Sequence, residues 1–380
     1  MEKKKPMGLY IHIPFCNRKC DYCDFVSYSM DKKAQQKYLE AMFKEIDMVK
    51  HNFEDEIFDT IYIGGGTPSI VYEGFIVSLA RKVFSSFHFA EKTEFTIEVN
   101  PASFTKEKFI EYVQAGMNRI SVGVQCLDSK LLAEHGRIQS IENVEETFQI
   151  LRKHGFDNVS SDVMLGLPNQ TIESVEETLE FLIQNRVKHI STYTLQVEKH
   201  TMLYDKIKRK KLKMLKDTKL LEIYNRVNEI LTEFDYMQYE ISNYAKAGYK
   251  SRHNQKYWHD VDYLGLGVSA HSFVDGYRFY NTKRLDTYID NLNQGKSAMY
   301  SKEYVPDEDR RVERLMLSLR TAEGLDLEKF SLDFKENLLL SRAEQIKKMQ
   351  ADGQIEIVDG FLRITPDNYF ISNSIIVELM

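Results

Sequence analysis

The chain has 380 residues, 43% of them hydrophobic, and a formal net charge of −6. This composition is sufficient for one large and one small domain and excludes wholesale disorder. The acidic balance gives no reason to expect nucleic-acid binding, and no apolar run approaches a membrane span. A polar, cysteine-rich stretch follows the basic start at once, so we expect no signal peptide and a cytoplasmic protein, with peripheral membrane contact left open.

The first half of the chain alternates short apolar strands with helices. The strands are predicted at residues 8–13, 59–63, 94–99, 119–124, 159–165 and 189–196. The helices are predicted at residues 32–50, 72–85, 105–116, 128–135 and 141–154. A Ser174–Glu177 capping-box pattern indicates that a further helix begins there. This alternation predicts an α/β fold of parallel βα units in an open, partial barrel, whose site lies at the carboxyl ends of the strands.

Three of the four cysteines fall within eight residues, directly after the first strand. Cys16, Cys20 and Cys23 could hold three corners of an iron–sulfur cube and leave the fourth iron without a protein ligand. A zinc site completed by His12 or an aspartate, or a disulfide plus a free thiol, would use the same residues. Zinc sites favour repeated Cys-x2-Cys pairs and disulfides suit secreted chains, so the open-iron cluster is the preferred interpretation. Cys126 is expected to be a buried structural thiol.

The cysteine segment resembles the signature of the radical S-adenosylmethionine (SAM) superfamily. It reads Tyr10-Ile-His-Ile-Pro-Phe-Cys16-x3-Cys20-x-Tyr22-Cys23. The similarity extends over nearly the full chain to the branch that contains oxygen-independent coproporphyrinogen III oxidase and the heme chaperones. The resemblance implies a partial (β/α)6 barrel, a [4Fe-4S] cluster on the three cysteines, and SAM chelated to the open iron. In that superfamily, an electron from the reduced cluster cleaves SAM to a 5′-deoxyadenosyl radical.

Several residues at the predicted strand ends match SAM-binding positions of the family. Gly64, Gly65 and Gly66 let the backbone approach a ligand closely. Glu98 lies on an apolar strand and needs a partner, either the ribose hydroxyls of SAM or a salt bridge to Arg119 or a neighbouring lysine. The resemblance assigns SAM contacts to Tyr10, Tyr22, Gly65, Gly66, Thr67, Glu98, Gln125, Arg137 and Asp162. Each could instead be an ordinary polar residue at the mouth of the barrel.

Two features favour the heme chaperone group, HemW, over the coproporphyrinogen enzyme. That enzyme carries a fourth cysteine two residues beyond the third, where this chain has Phe25. The motif His253-Asn-x-x-Tyr257-Trp258 resembles one that is linked to heme binding in the chaperones, and neutral imidazole is a common axial ligand of heme iron. His253 is therefore the candidate heme-binding residue, with His271 next. Packing of Tyr257 and Trp258 in a core is the structural alternative.

The predicted organisation has three regions: residues 1–235, the radical SAM partial barrel; 236–300, a connecting segment with the His253 motif; and 301–380, a small winged-helix-like α+β domain. In the last region, amphipathic helices are predicted at 308–320, 326–332 and 338–351, with a hairpin at 355–365. Gly265 and Gly267 are expected to allow close packing against another element, such as the open edge of the barrel.

The sequence thus predicts a heme chaperone with a [4Fe-4S] cluster and SAM bound at a radical SAM site. The implied partners are heme as cargo, an acceptor hemoprotein and an electron donor. A respiratory, membrane-associated hemoprotein is the first candidate for the acceptor. No nucleic acid is expected, and a homodimer is left open. The alternative is oxygen-independent coproporphyrinogen III oxidase, and a SAM-dependent methylase is a third interpretation. Whether the chain is an enzyme stays open at this point.

Overall fold

The computed structural model describes residues 5–29 and 31–380, so the basic start of the chain lies largely outside it. Within these residues, twelve strands form one large sheet. In chain order they are β1 (Met7–Ile13), β2 (Ile57–Gly65), β3 (His88–Val99), β4 (Arg119–Gln125), β5 (Val159–Leu165), β6 (His189–Thr194), β7 (Met237–Gln238), β8 (Asn243–Ala245), β9 (Tyr263–Leu266), β10 (His271–Val274), β11 (Tyr277–Asn281) and β12 (Met299–Tyr304). Their order in the sheet is β12-β11-β10-β9-β1-β2-β3-β4-β5-β6-β8-β7.

Helices cover the sheet and build the end of the chain. They are α1 (Lys32–Val49), α2 (Phe75–Phe84), α3 (Lys106–Gln114), α4 (Ser129–Glu134), α5 (Ile141–Lys153), α6 (Ile172–Gln184), α7 (Met202–Lys208), α8 (Asp217–Glu233), α9 (Arg252–Trp258), α10 (Leu285–Asn293), α11 (Asp307–Ser318), α12 (Leu327–Phe334), α13 (Leu338–Ser341), α14 (Ala343–Ala351) and α15 (Ser372–Leu379). Short 3₁₀ turns occupy Lys50–Phe53, Pro68–Ile70, Pro101–Ser103 and Pro366–Ile371.

The six predicted strands are all present, and β1 to β6 pair in parallel in chain order. Their apolar side chains form one core with those of α1, α2, α3, α5 and α6, which confirms the partial (β/α)6 barrel. One helix start differs from the prediction. Thr171, not Ser174, caps α6: its hydroxyl accepts from Ser174 N at 3.2 Å, and Ser174 is the third helical residue.

Residues 236–300 add strands to both edges of this barrel sheet. Strand β8 pairs antiparallel with β6, and β9 pairs in parallel with β1. The expected close packing is confirmed, because a Cβ on Gly265 would lie 2.1 Å from His271 O and one on Gly267 would lie 2.5 Å from the Tyr38 hydroxyl. The boundaries of the three predicted domains stay a prediction.

The last part of the chain has a hydrophobic core of its own, built on a second sheet. Its strands are β13 (Leu325–Asp326), β14 (Ile355–Val358) and β15 (Phe361–Ile364), paired antiparallel in the order β13-β15-β14. The predicted hairpin and the helices α11 and α12 are present. The helix predicted at 338–351 is divided at Arg342 into α13 and α14, and α15 and β13 were not predicted. Tyr224 of α8 contributes to this core, so the barrel and the C-terminal domain share an apolar contact.

Across the described residues, no helix combines the length and the apolar character needed to cross a bilayer.

Candidate cofactor site

The cysteine loop, residues 14–28, leaves the end of β1 and is held at two places by main-chain hydrogen bonds. At its base, Cys16 N donates to Tyr28 O at 3.0 Å. In its middle, Asp21 N donates to His135 O at 2.9 Å, which ties the loop to the end of α4. The loop is therefore positioned by the barrel before any cofactor binds.

A cavity of about 450 Å³ opens beside this loop, at the carboxyl ends of the parallel strands. Among the predicted site residues, its wall brings together Cys16, Cys20, Tyr22, Cys23, Gly65, Gly66, Thr67, Glu98, Gln125, Arg137 and Asp162. The wall does not include Tyr10 or His253. Most of the predicted SAM and cluster positions thus share one cavity, although their binding roles stay predictions.

The three clustered cysteines reach this cavity as free thiols. Cys16 Sγ lies 3.3 Å from Thr67 Oγ1, and Arg137 Nη1 lies 4.0 Å from Cys20 Sγ. Burial raises the pKa of Cys16 and raises the pKa of Cys23 to about 11. Binding of a metal cluster would therefore release protons from these thiols.

The zinc alternative is not formed in this structure. No three His, Cys, Asp or Glu side chains in residues 5–29 and 31–380 are grouped closely enough to hold a single metal ion. His12 has both ring nitrogens engaged, with Nδ1 3.0 Å from the Tyr10 hydroxyl and Nε2 3.1 Å from Val26 O. A four-iron cluster takes one thiolate per iron, so the three cavity thiols fit it without converging on one point.

The turn after β2 is fixed against the cysteine loop. Gly66 N donates to Ile13 O at 2.8 Å, and Thr67 N donates to Phe15 O at 2.7 Å. These bonds place the glycine turn and the first cysteine on the same side of the cavity. A ligand bound at the thiols would therefore also meet the backbone of this turn.

Two partly buried carboxyl groups, those of Glu98 and Asp162, also line the cavity. Glu98 accepts hydrogen bonds from the Tyr62 hydroxyl at 2.8 Å and from Gly65 N at 3.2 Å, and it does not form the alternative salt bridge to Arg119. Burial, and then the charge of Asp162, raise the pKa of Glu98 to about 7. Burial also raises the pKa of Asp162. This wall can accept hydrogen bonds from hydroxyl or ammonium groups.

Gln125 places an unpaired polar atom at the wall of the cavity. It ends β4 with a φ of 66°, where the pairing with β5 shifts register. Its Oε1 atom is buried and has no hydrogen-bond partner in the part of the chain that the structure describes. A buried, unpaired amide oxygen costs free energy, so a ligand that donates a hydrogen bond here would relieve that cost.

Arg137 already has protein partners. Its Nε donates to Gln139 Oε1 at 2.9 Å, and its Nη2 donates to Gly123 O. The guanidinium is thus fixed beside Cys20, with its Nη1 4.0 Å from Sγ. Its predicted contact with a SAM carboxylate stays a prediction.

Tyr62 is a cavity residue that the sequence interpretation missed. Its hydroxyl binds Glu98, and its ring stacks on His253 with centroids 5.2 Å apart and planes at 28°. The sequence did contain a signal for this role. Tyr62 lies in β2 two residues before Gly64, and alternation along a strand puts residues two apart on the same face. Through this ring, the cavity wall is in contact with α9.

His253 itself is buried and fully hydrogen-bonded. It is 1% exposed, with Nδ1 2.8 Å from Thr60 Oγ1 and Nε2 2.8 Å from the Tyr257 hydroxyl. Burial lowers the pKa of His253 to about 3, so the ring is neutral. Both ring nitrogens are occupied, so ligation of heme iron by His253 would require one of these bonds to break.

Comparisons with known proteins agree with this architecture. The Radical SAM superfamily model matches residues 10–182, and the HemN C-terminal domain model matches residues 305–370. The solved structure of Escherichia coli coproporphyrinogen III oxidase (HemN), a radical SAM enzyme, aligns with a TM-score of 0.86 over 99% of this chain and 90% of that chain. At 22% identity, that match shows a common fold.

Two sequence relatives decide the family. The heme chaperone HemW of Lactococcus lactis is 32% identical over 91% of this chain and 90% of its own length. The heme chaperone HemW of Haemophilus influenzae is 34% identical over 87% of this chain and 86% of its own length. The chain belongs to the HemW family. In this HemW family member, Phe25 lies at the rim of the cavity with 65% of its side chain exposed, and Cys126 is buried as expected.

Proposed function

We propose that this chain is a heme chaperone that binds heme and transfers it to an acceptor hemoprotein. Its HemW relatives, which bear that name, align along most of their own length. The observation that carries the proposal is Phe25. It stands where the coproporphyrinogen enzyme has its fourth cysteine, and it presents an exposed ring, not a thiol, at the cavity rim.

The proposal includes a [4Fe-4S] cluster held by Cys16, Cys20 and Cys23, with SAM beside it in the cavity. When bound, the cluster supplies an open iron that can chelate SAM and an electron that can reduce it. The cysteine loop presents the three thiols, and Arg137 places a positive charge near Cys20. In the same cavity, the free oxygen of Gln125 and the carboxyl groups of Glu98 and Asp162 would orient the hydroxyl and ammonium groups of SAM.

Transfer of heme requires that binding be reversible and that the acceptor can reach the cargo. We therefore propose a labile, surface-accessible heme, an acceptor that is a respiratory, membrane-associated hemoprotein, and a protein electron donor for the cluster. Cytoplasmic localisation with peripheral membrane contact fits this role. These partners are part of the proposal, as is a homodimeric state.

The cofactor part can be tested by anaerobic reconstitution with iron and sulfide. The wild-type chain should hold about four irons and show the absorbance of a [4Fe-4S] cluster. Cys16→Ser, Cys20→Ser and Cys23→Ser should each lose most of this iron, whereas Cys126→Ser should keep it. Equal iron in all four variants would contradict the assignment of the ligands.

The cargo part can be tested by an anaerobic titration of the reconstituted protein with hemin. A saturable Soret shift at about one heme per chain supports the chaperone. A parallel incubation with coproporphyrinogen III, SAM and a reductant tests the enzyme alternative. Porphyrin products in that incubation, without saturable hemin binding, would replace the chaperone proposal by the decarboxylase.

A further inference from the structure

A second histidine, His271, differs from His253 in two properties that iron ligation requires: its side chain is accessible and its ring nitrogens are unoccupied. It is the first residue of β10, and its side chain is exposed. Its ring nitrogens form no hydrogen bond to the residues that the structure describes. A ring nitrogen of His271 is therefore available to an external ligand, whereas those of His253 are both occupied.

One aromatic ring packs on this free imidazole, and a second ring packs on the first. His271 pairs with Tyr280 across β10 and β11, and the two rings stack with centroids 4.9 Å apart and planes at 19°. The Tyr300 ring lies 5.7 Å from the Tyr280 ring and is 72% exposed. The stacking fixes the plane of the imidazole, and Tyr300 adds an exposed ring beside the stacked pair.

The charges around His271 suit an anionic ligand. Burial, then the charges of Lys283 and Arg278, lower the pKa of His271, which keeps the ring in its neutral, ligating form. Arg278 is paired with Glu313, since its Nη2 lies 2.9 Å from both carboxylate oxygens. The side chain of Lys283 is exposed and has no ion pair among the described residues. Lys283 can therefore receive a carboxylate of the ligand.

The surface formed by His271, Tyr280, Tyr300 and Lys283 lies at the same end of the sheet as the cysteine loop. Strand β9 runs parallel to β1, and the turn after its carboxyl end leads directly to His271. The loop and the surface are also in contact, because the Tyr28 hydroxyl donates to Lys283 O at 2.8 Å and accepts from Leu285 N at 3.3 Å. A ligand on this surface would thus sit next to the loop that is proposed to hold the cluster.

We propose that His271 is an axial ligand of heme at a surface site formed with Tyr280, Tyr300 and Lys283. The imidazole binds the iron, the exposed Tyr300 ring contacts the edge of the porphyrin, and Lys283 pairs with a propionate. This inference rests on the proposed function, because it assigns the cargo site of the chaperone. An exposed site of this kind leaves one face of the heme open to an acceptor.

The test is an anaerobic hemin titration of the full chain followed by absorbance and by electron paramagnetic resonance. His271→Ala should weaken hemin binding at least about tenfold and remove the histidine-ligated spectrum, and added imidazole should restore that spectrum. Lys283→Ala should weaken binding by a smaller factor. His51→Ala, which removes another exposed histidine, is the matched control and should bind like the wild type.

The outcomes separate this inference from the proposed function. Wild-type affinity and spectrum in a folded His271→Ala variant would overturn the His271 site. Loss of hemin binding in His253→Ala alone, with a native circular dichroism spectrum, would keep the chaperone and also overturn this site. Absence of saturable hemin binding in the wild type would overturn both.

Discussion

Glu98 makes the stability of the protein depend on pH. Its pKa is raised from the ordinary 4.5 to about 7, so the folded chain holds a proton that the unfolded chain releases between these values. Without ligand, the free energy of unfolding should therefore fall as pH rises from 4.5 to 7. In Glu98→Gln this fall should be smaller by roughly 2 kcal/mol. Urea denaturation at pH 5 and 7.5 measures this change in the free energy of unfolding. Glu91→Gln, which replaces an exposed glutamate of β3, is the control. Equal pH dependence in both variants would contradict the assignment.

His253 is expected to act on stability through its two hydrogen bonds. His253→Ala would leave Thr60 and Tyr257 without their shared partner and open a void, which should lower the free energy of unfolding by roughly 2–4 kcal/mol. His271→Ala, at an exposed position, should change it by about 0.5 kcal/mol or less. Denaturant unfolding of both variants tests this contrast. A change near zero for His253→Ala would mean that its buried geometry is wrong.

At the scale of elements, the contact between α1 and the β9–β10 turn closes one edge of the barrel. Gly267 has a φ of 98°, its N donates to Glu45 Oε2 at 2.8 Å, and Asn281 Nδ2 donates to its carbonyl at 2.8 Å. Tyr38 reaches the same turn, since its hydroxyl accepts from Val268 N at 3.0 Å. This edge is therefore held by a buried polar network.

Gly267→Ala should disturb this network strongly. The new Cβ would add a left-handed backbone strain and a contact of 2.5 Å with the Tyr38 hydroxyl, so we expect a loss of at least about 2 kcal/mol in the free energy of unfolding. Gly248→Ala is the matched control, because Gly248 has a φ of 86° but no atom within 4 Å of the added Cβ. Equal losses from both substitutions would show that only backbone strain matters at Gly267.

The elements that the sequence predicted share one property, a continuous local pattern. Strands β1 to β6 are apolar runs bounded by turn residues, so they could be predicted without tertiary information. Strands β7 to β11 are short, and this part of the chain is rich in Tyr, Asn, Gly and His. Pairing defines these strands: β8 pairs with β6, β9 pairs with β1, and the others pair with their neighbours in the sheet. The start of α6 was misplaced because both Thr171 and Ser174 are good capping residues, and the choice between them depends on the preceding loop.

At the scale of the whole molecule, the site residues were predictable because parallel strands end at one edge. Cys16, Gly65 and Gln125 are far apart in sequence but meet in one cavity for that reason. The burial of His253 was not predictable, because it depends on Thr60 of β2 and on Glu94 of β3, whose carboxylate accepts from His253 N at 3.0 Å. A local motif does not reveal such distant partners.

The central claim is that the chain delivers heme instead of decarboxylating a porphyrinogen. The most direct measurement is an anaerobic transfer experiment with hemin-loaded, reconstituted protein and the apo-form of a respiratory b-type cytochrome. Apo-myoglobin serves as a passive heme sink that reports spontaneous release. We expect heme to reach the cytochrome faster than it reaches apo-myoglobin, with no porphyrin product from coproporphyrinogen III. Equal rates to both acceptors, together with coproporphyrinogen turnover, would contradict the account.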